Sequence, residues 1–158
     1  MNPLDMTAAA HAWEAYRTAH PEQATDAEFP SVERFGDNPA LSDALLDLVL
    51  HGEKRATATL LAEFAAEGQP LPRAGSHWIA CDSSGRPRAI LRSTELRIGT
   101  FATADAAFAY DEAEDDRSLE AWRQGHLAYW TRICAALGTE WNDDLEILFE
   151  RFDVVWTG

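Results

Sequence analysis

Lysine is almost absent. The chain of 158 residues has one, Lys54, against twelve arginines. Positions that need only a positive charge use arginine, so the single amine stands out. Lys and Arg differ wherever an amine must move a proton or act as a compact donor. A GC-rich coding bias explains the arginines equally well and leaves Lys54 as a survivor. Cysteine is scarce too. Cys81 and Cys134 lie far apart with no CxxC spacing, which argues against a zinc ribbon and a disulfide framework and leaves two small buried hydrophobes. No apolar run approaches the roughly 18–20 residues of a membrane span. The first residues lack the basic start and apolar centre of a signal peptide, so the expected location is cytoplasmic. No GxGxxG, Walker, GxSxG or HExxH pattern occurs.

Positive charge is also in deficit. The net charge of −14 makes the chain a poor partner for duplex nucleic acid, whose affinity comes from phosphate neutralisation. The deficit is uneven. From Lys54 to Arg97 there are seven basic and four acidic residues, while the remainder has six basic and 23 acidic. This middle third is either a locally positive floor or a set of arginines scattered over alternate strand faces. The size suits one domain with a core of its own.

The apolar pattern places the elements. A helix over Thr7–His20 repeats Ala9, Ala12, Trp13 and Tyr16, with Asp5 or Thr7 as cap and Pro21 as stop. Residues 22–38 read as loop with a short strand near Val32–Phe35. Asn38-Pro39 starts a second helix with the stripe Leu41, Leu45, Leu48 and Val49, ended by Gly52. Lys54 then emerges past a helix C-terminus, which favours the protonated amine. Thr57–Glu67 reads as a third helix, with Leu60, Leu61, Phe64 and Ala65 on one face. His77–Asp82 and Arg86–Ile98 form a hairpin about Ser83-Ser84-Gly85. Thr103–Tyr110 is a short helix. Ser118 caps the longest helix, to Leu137, with Leu119, Trp122, His126, Trp130, Ile133 and Leu137 in one stripe. Gly125 inside it marks a place where another backbone comes close. Leu145–Trp156 alternates as a terminal strand. This is an α+β pattern, a small mixed or antiparallel barrel with helices packed around it.

One constellation carries chemistry: Lys54, Thr57 and Thr59, the carboxylates of residues 111–116, and His126. An amine beside a hydroxyl can position it as a nucleophile, and a carboxylate can shuttle the proton. The structural alternative makes Thr57 a helix cap and Lys54 a solvated side chain. Five of the six residues from Asp111 to Asp116 are acidic. They form a solvated face, or cap the next helix, or project Glu112, Glu114 and Asp116 from an extended segment as acid–base groups or as ligands for Mg²⁺ or Mn²⁺. No metal ligand is assigned. His126 is either a hydrogen-bonded core histidine or a functional one. Trp78, Trp122 and Trp130 are either core or stacking surfaces for a base.

Phe35-Gly36-Asp37, Gly52-x-Lys54-x-Ala56-Thr57 and Leu71-Pro72-x-x-Gly75 resemble the ASCH domain family of the PUA-like superfamily. Glu112-x-Glu114-x-Asp116-Arg117-Ser118-Leu119, with Trp122 and His126, resembles the Glu-Gly-Glu-Gly-Asp block of its longer bacterial members, and Phe149-Glu150-Arg151-Phe152 matches as well. Ala113 and Asp115 stand where that block has glycine. The resemblance implies a PUA-like barrel over residues 29–158, with 1–28 as a helical extension. By motif position it implies catalytic roles for Lys54, Thr57 and either Glu114 or Glu112; together with the constellation, the expected catalytic set is Lys54, Thr57, Glu112 and Glu114, and the expected substrate contacts are Arg55, Thr59, Asp116, Trp122 and His126. It also implies single-stranded RNA or a modified nucleoside as partner. The leading reading is an RNA-cleaving hydrolase. The others are an amidohydrolase of N4-acylated cytosine nucleosides, in which Thr57 attacks and Lys54 activates it, and a non-catalytic reader of RNA or a modified base. No membrane partner is expected, and the oligomeric state is open.

Overall fold

The computed structural model describes residues 1–24 and 28–158. The helices are α1 (Met6–Ala19), α2 (Pro39–Leu50), α3 (Leu61–Glu67), α4 (Ala106–Glu112) and α5 (Leu119–Ala136). The strands are β1 (Ser31–Glu33), β2 (Ala56–Leu60), β3 (His77–Cys81), β4 (Pro87–Gly99) and β5 (Ile147–Thr157). They form one mixed sheet in the order β1-β3-β4-β5-β2. β1 runs parallel to β3, and the β3–β4 and β2–β5 ladders are antiparallel. The architecture is α+β, as the pattern predicts. Among the described residues no helix is long and apolar enough to cross a membrane.

The chain divides into two compact units. The first comprises Met1–Gly52, Ala74–Ser93 and Asp153–Gly158. Its core joins Ala9, Trp13 and Tyr16 of α1 to Ile79, Cys81 and Ile90 of the β3–β4 hairpin. The alanine-rich helix brings these side chains to one face, and the Asp5 carboxylate caps it by accepting from the Ala8 N–H at 2.9 Å. Helix α1 thus packs on the core, in the segment expected to be an extension. The loop expected over 22–38 includes residues 25–27, which lie outside the described residues. Helix α2 begins as predicted, with the Asn38 side chain accepting from Leu41 N. Its buried face is Ser42, Leu46 and Val49; of the expected stripe only Val49 is buried, and Leu41, Leu45 and Leu48 are half-buried. Leucines nearly encircle this helix, so the pattern leaves its rotation undetermined, and packing selects a phase one residue on. In the hairpin turn Gly85 has φ 94°, and a Cβ there would meet the Pro3 carbonyl oxygen at 2.0 Å.

The second unit comprises Glu53–Arg73 and Thr94–Phe152. Its core gathers Ala56, Ala58 and Leu60 of β2, Phe108 and Ala109 of α4, Trp122, Trp130 and Cys134 of α5, and Ile147 and Phe149 of β5. The helix expected over Thr57–Glu67 begins only at Leu61. Residues 56–60 are a strand because their Ala-Thr alternation buries every second side chain while β5 supplies a ladder partner. Tertiary pairing overrides alanine's helix preference here. Helix α4 starts at Ala106, capped by Asp105 rather than from Thr103. Ser118 caps α5 as predicted. The buried residues of α5 are Trp122, His126, Trp130 and Cys134, and Leu137 is exposed. Among the described residues, no backbone from outside the helix comes within 4 Å of a Cβ placed at Gly125. The nearest atom to a Cβ there would be Asp115 Oδ2 at 3.7 Å, so the expected reason for this glycine does not hold.

Candidate functional site

Lys54 lies in the second unit, in the two-residue approach to β2. Two backbone bonds hold that approach. Arg55 N–H donates to the Asp111 carbonyl at 2.8 Å, and Phe152 N–H donates to the Arg55 carbonyl at 3.0 Å. The segment is therefore pinned to the end of α4 on one side and to β5 on the other. Lys54 has 0% exposure. Its Nζ donates to Glu112 Oε1 at 3.0 Å and Glu114 Oε1 at 2.7 Å, with a longer contact to the Glu112 carbonyl at 3.4 Å.

The carboxylates reach Lys54 because the chain turns sharply after α4. Glu112 is the last residue of that helix. Ala113 and Asp115 then take left-handed φ values of 57° and 50°, and Arg117 takes 66°. These first two positions are those where the resembling block has glycine. An L-residue pays roughly 1–2 kcal/mol for this conformation, so surrounding contacts must hold the loop. The segment is not extended, and the expected alternation fails for that reason. Glu112 and Glu114 converge on Lys54, whereas Asp116 turns to the next helix and accepts from Ser118 N–H at 2.9 Å.

Helix α5 closes the other side. Trp122 and His126 stand one turn apart and share a face. Trp122 Nε1–H donates to Glu112 Oε2, and His126 Nε2 lies 3.2 Å from the same oxygen. His126 Nδ1 is 2.9 Å from the Trp122 carbonyl. Both histidine neighbours are acceptors, an arrangement that favours a proton on each ring nitrogen and so the imidazolium form. The Trp122 indole stacks on it at 4.1 Å and 18°, a geometry that stabilises a cation.

Burial opposes charge on all three groups, and their partners outweigh it. Burial pulls the Lys54 amine down, but Glu112 and Glu114 raise it above the ordinary lysine value. Burial pushes the Glu112 carboxyl up, but Lys54 and then His126 hold it well below the ordinary range. Burial lowers His126, and Glu112 raises it above the usual imidazole value. Lys54 is therefore an ammonium and not a free base. Glu114 is the most exposed of the cluster, with 23% of its side chain accessible against 9% for His126.

The other candidates lie apart from this cluster. Arg55 donates from NH1 to the Lys54 carbonyl at 2.6 Å. Thr57 and Thr59 alternate with the buried Ala56, Ala58 and Leu60, which puts them on the strand face turned from that core. No hydrogen bond joins Thr57 to Lys54 among the described residues. Two further features escaped the sequence reading. Glu150, buried on β5, pairs across the ladder with Thr57. Arg117 donates from Nε to the Tyr110 carbonyl at 2.9 Å and from NH1 to Glu53. The signal for Arg117 was its place next to the acidic block.

Glu112, Glu114 and His126 offer donor atoms within 4.8 Å of one another. Two carboxylates and an imidazole suit a borderline transition metal better than Mg²⁺, which prefers oxygen alone. Here, however, the carboxylates already hold the Lys54 ammonium, and both histidine nitrogens are turned to acceptors. In this arrangement the set does not fit a divalent ion.

The chain matches the ASCH domain model over residues 31–156. It belongs to the ASCH domain family. The ASCH domain of Lactobacillus crispatus JV V101 superposes with a TM-score of 0.83 at 26% identity, covering 94% of both chains. Protein EF3133 of Enterococcus faecalis V583 does so with the same TM-score and identity, over 94% of this chain and 88% of its own. No curated protein matches the chain. The fold is thus the PUA-like α+β fold of ASCH domains, a family associated with RNA binding.

Proposed function

We propose that this ASCH domain is a hydrolase of an RNA-derived ligand and that the Lys54 cluster is its acid–base centre. The observation that carries the reading is charge balance. The Lys54 ammonium is matched by two carboxylates within 3.0 Å, and His126 offsets the excess. Such a site offers no net positive charge to a phosphate, and the chain as a whole is at −14. A neutral acylated nucleoside meets neither penalty, so amide hydrolysis at an acylated cytosine fits better than cleavage of the RNA backbone.

The roles follow from the protonation states. Glu114, the carboxylate at the surface, accepts the proton of the attacking hydroxyl. The Lys54 ammonium, buried with its donors on the two carboxylates, orients Glu114 for that transfer. The C–N bond then breaks, and the proton passes from Glu114 to the departing amine. Glu112, Trp122 and His126 hold Lys54 in place. The attacking hydroxyl is that of water or Thr57. Water is favoured, because among the described residues no base is in hydrogen-bond contact with the Thr57 hydroxyl. An RNA-cleaving reading draws on a different observation: His126 carries a proton beside Glu112, an acid and a carboxylate side by side, as strand cleavage through a 2′-hydroxyl needs.

The test is turnover of N4-acetylcytidine beside a single-stranded RNA oligonucleotide, each with and without Mg²⁺ or Mn²⁺. Amide turnover without metal is expected, with Glu114→Gln lowering kcat by roughly 10²–10⁴. Thr57→Val retains activity if water attacks. Cleavage of the oligonucleotide alone would replace the amide reading with the strand-cleaving one, and an unchanged kcat in Glu114→Gln would remove the cluster from the chemistry.

A further inference from the structure

The Lys54 amine is enclosed by the loop that carries its two carboxylates. That loop runs against its own backbone preference, since Ala113, Asp115 and Arg117 all have positive φ. Left unrestrained, a loop in this conformation would relax, so contacts must hold it shut. Besides the Lys54 bonds and the backbone bond from Arg117 N–H to the Glu114 carbonyl at 2.9 Å, one side chain makes several of the contacts that do so. Arg117 Nε donates to the Tyr110 carbonyl at 2.9 Å, at the C-terminal turn of α4 where the loop begins. Its guanidinium lies 3.5 Å from the centroid of the Tyr110 ring. Its NH1 pairs with Glu53, the residue before Lys54. One planar cation thus ties the start of the loop, its own end and the Lys54 segment together. A lysine could satisfy only part of this, since it lacks the flat fork that stacks and bonds at once.

From this geometry we infer that Arg117 is a positioning residue, a latch that holds Glu114 against Lys54 and whose release uncovers the amine. The inference builds on reading the cluster as the working site, but its test does not need turnover. Lys54 is the only lysine, so its reaction with acetic anhydride, followed by mass spectrometry of its peptide, reports access to the amine without interference. The N-terminal amine, on an exposed residue, is the internal reference. In the wild type Lys54 is strongly protected. Arg117→Ala raises its relative acetylation rate about ten-fold by favouring local opening, and Arg117→Lys gives a smaller rise. Glu53→Gln, which cuts one arm of the latch at a surface side chain 74% exposed, also raises it and serves if Arg117→Ala does not fold. A folded Arg117→Ala or Glu53→Gln protein with wild-type protection overturns the latch.

Activity separates the latch from the reaction. If the wild type turns over the nucleoside, Arg117→Ala lowers kcat with little change in KM, and Arg117→Lys restores part of it. A KM effect alone would instead make Arg117 a substrate contact and overturn the positioning role. Altered acetylation with no wild-type turnover of either substrate keeps the latch and removes the hydrolase. Wild-type turnover with unaltered acetylation keeps the hydrolase and removes the latch.

Discussion

Each unit of the chain buries a polar group among aromatic rings, and the two use opposite chemistry. In the first, the Tyr16 hydroxyl lies 3.1 Å from His77 Nε2 and donates to Gln23 Oε1 at 3.4 Å, with Trp13 beside the ring. Burial raises the Tyr16 pKa, so the phenol stays neutral. In the second, four ionisable side chains, Lys54, Glu112, Glu114 and His126, meet beside Trp122. A neutral hydrogen bond satisfies a buried group at little desolvation cost, whereas buried ions lose hydration worth several kcal/mol each. An apolar side chain of similar volume would often be as stable as a buried ion pair. Charge retained in the second unit therefore carries no stability advantage of its own, which agrees with the role proposed for Lys54, and the first unit shows that this chain can bury polarity without charge.

The largest effect expected from this contrast is at Lys54. Lys54→Met leaves Glu112 buried without its main counter-ion, and breaking a buried pair this way costs about 3–5 kcal/mol in urea unfolding. His126 remains beside Glu112, which places the loss toward the lower end. Adding Glu112→Gln to Lys54→Met should recover much of it, because the orphaned charge is gone. A double variant no more stable than Lys54→Met would mean that the cluster holds the unit together by packing alone.

How much of this was visible in the chain depends on the range of the interaction involved. The caps Asp5, Asn38 and Ser118 act within three residues, and all three were legible. The β3–β4 hairpin was legible for the same reason. Lys54 stood out as the lone amine, and Glu112 and Glu114 were nominated with it. What the chain could not show is the left-handed turn at Ala113 and Asp115. Neither residue advertises that conformation, and without it Asp116 looked equal to Glu114. Strand β2 was misread as helix because its ladder partner lies about ninety residues on, at residues 147–151. Arg117 was invisible as a latch because Glu53 and Tyr110 meet it only after the loop closes.

The pH dependence should divide the clusters next. Glu112 is depressed in the folded state, so its contribution is present above the ordinary carboxylate pKa and is lost as pH falls through the folded value. His126 is raised, so its contribution is complete below about pH 6.5 and is lost as pH rises through its folded value. Stability of the second unit should therefore peak on the acid side of neutrality and decline on the alkaline side. His126→Gln should flatten the alkaline decline in urea titrations between pH 6 and 9, while Tyr16→Phe leaves its slope intact. An unchanged slope in His126→Gln would show that the imidazolium does not form.

The smallest effect belongs to the neutral cluster. Tyr16→Phe keeps the ring against Trp13 and removes only the hydroxyl, and with it one hydrogen bond of His77. A neutral bond of this kind contributes about 0.5–1.5 kcal/mol. The loss should be constant from pH 5 to 9, because the raised Tyr16 pKa keeps the phenol protonated throughout, and Lys54 acetylation should not change. A loss as large as that of Lys54→Met, or one that varies steeply with pH, would show that the first unit also depends on buried charge. In that case Lys54 would be one instance of how this chain builds its interior, and charge balance would no longer single it out as the working site.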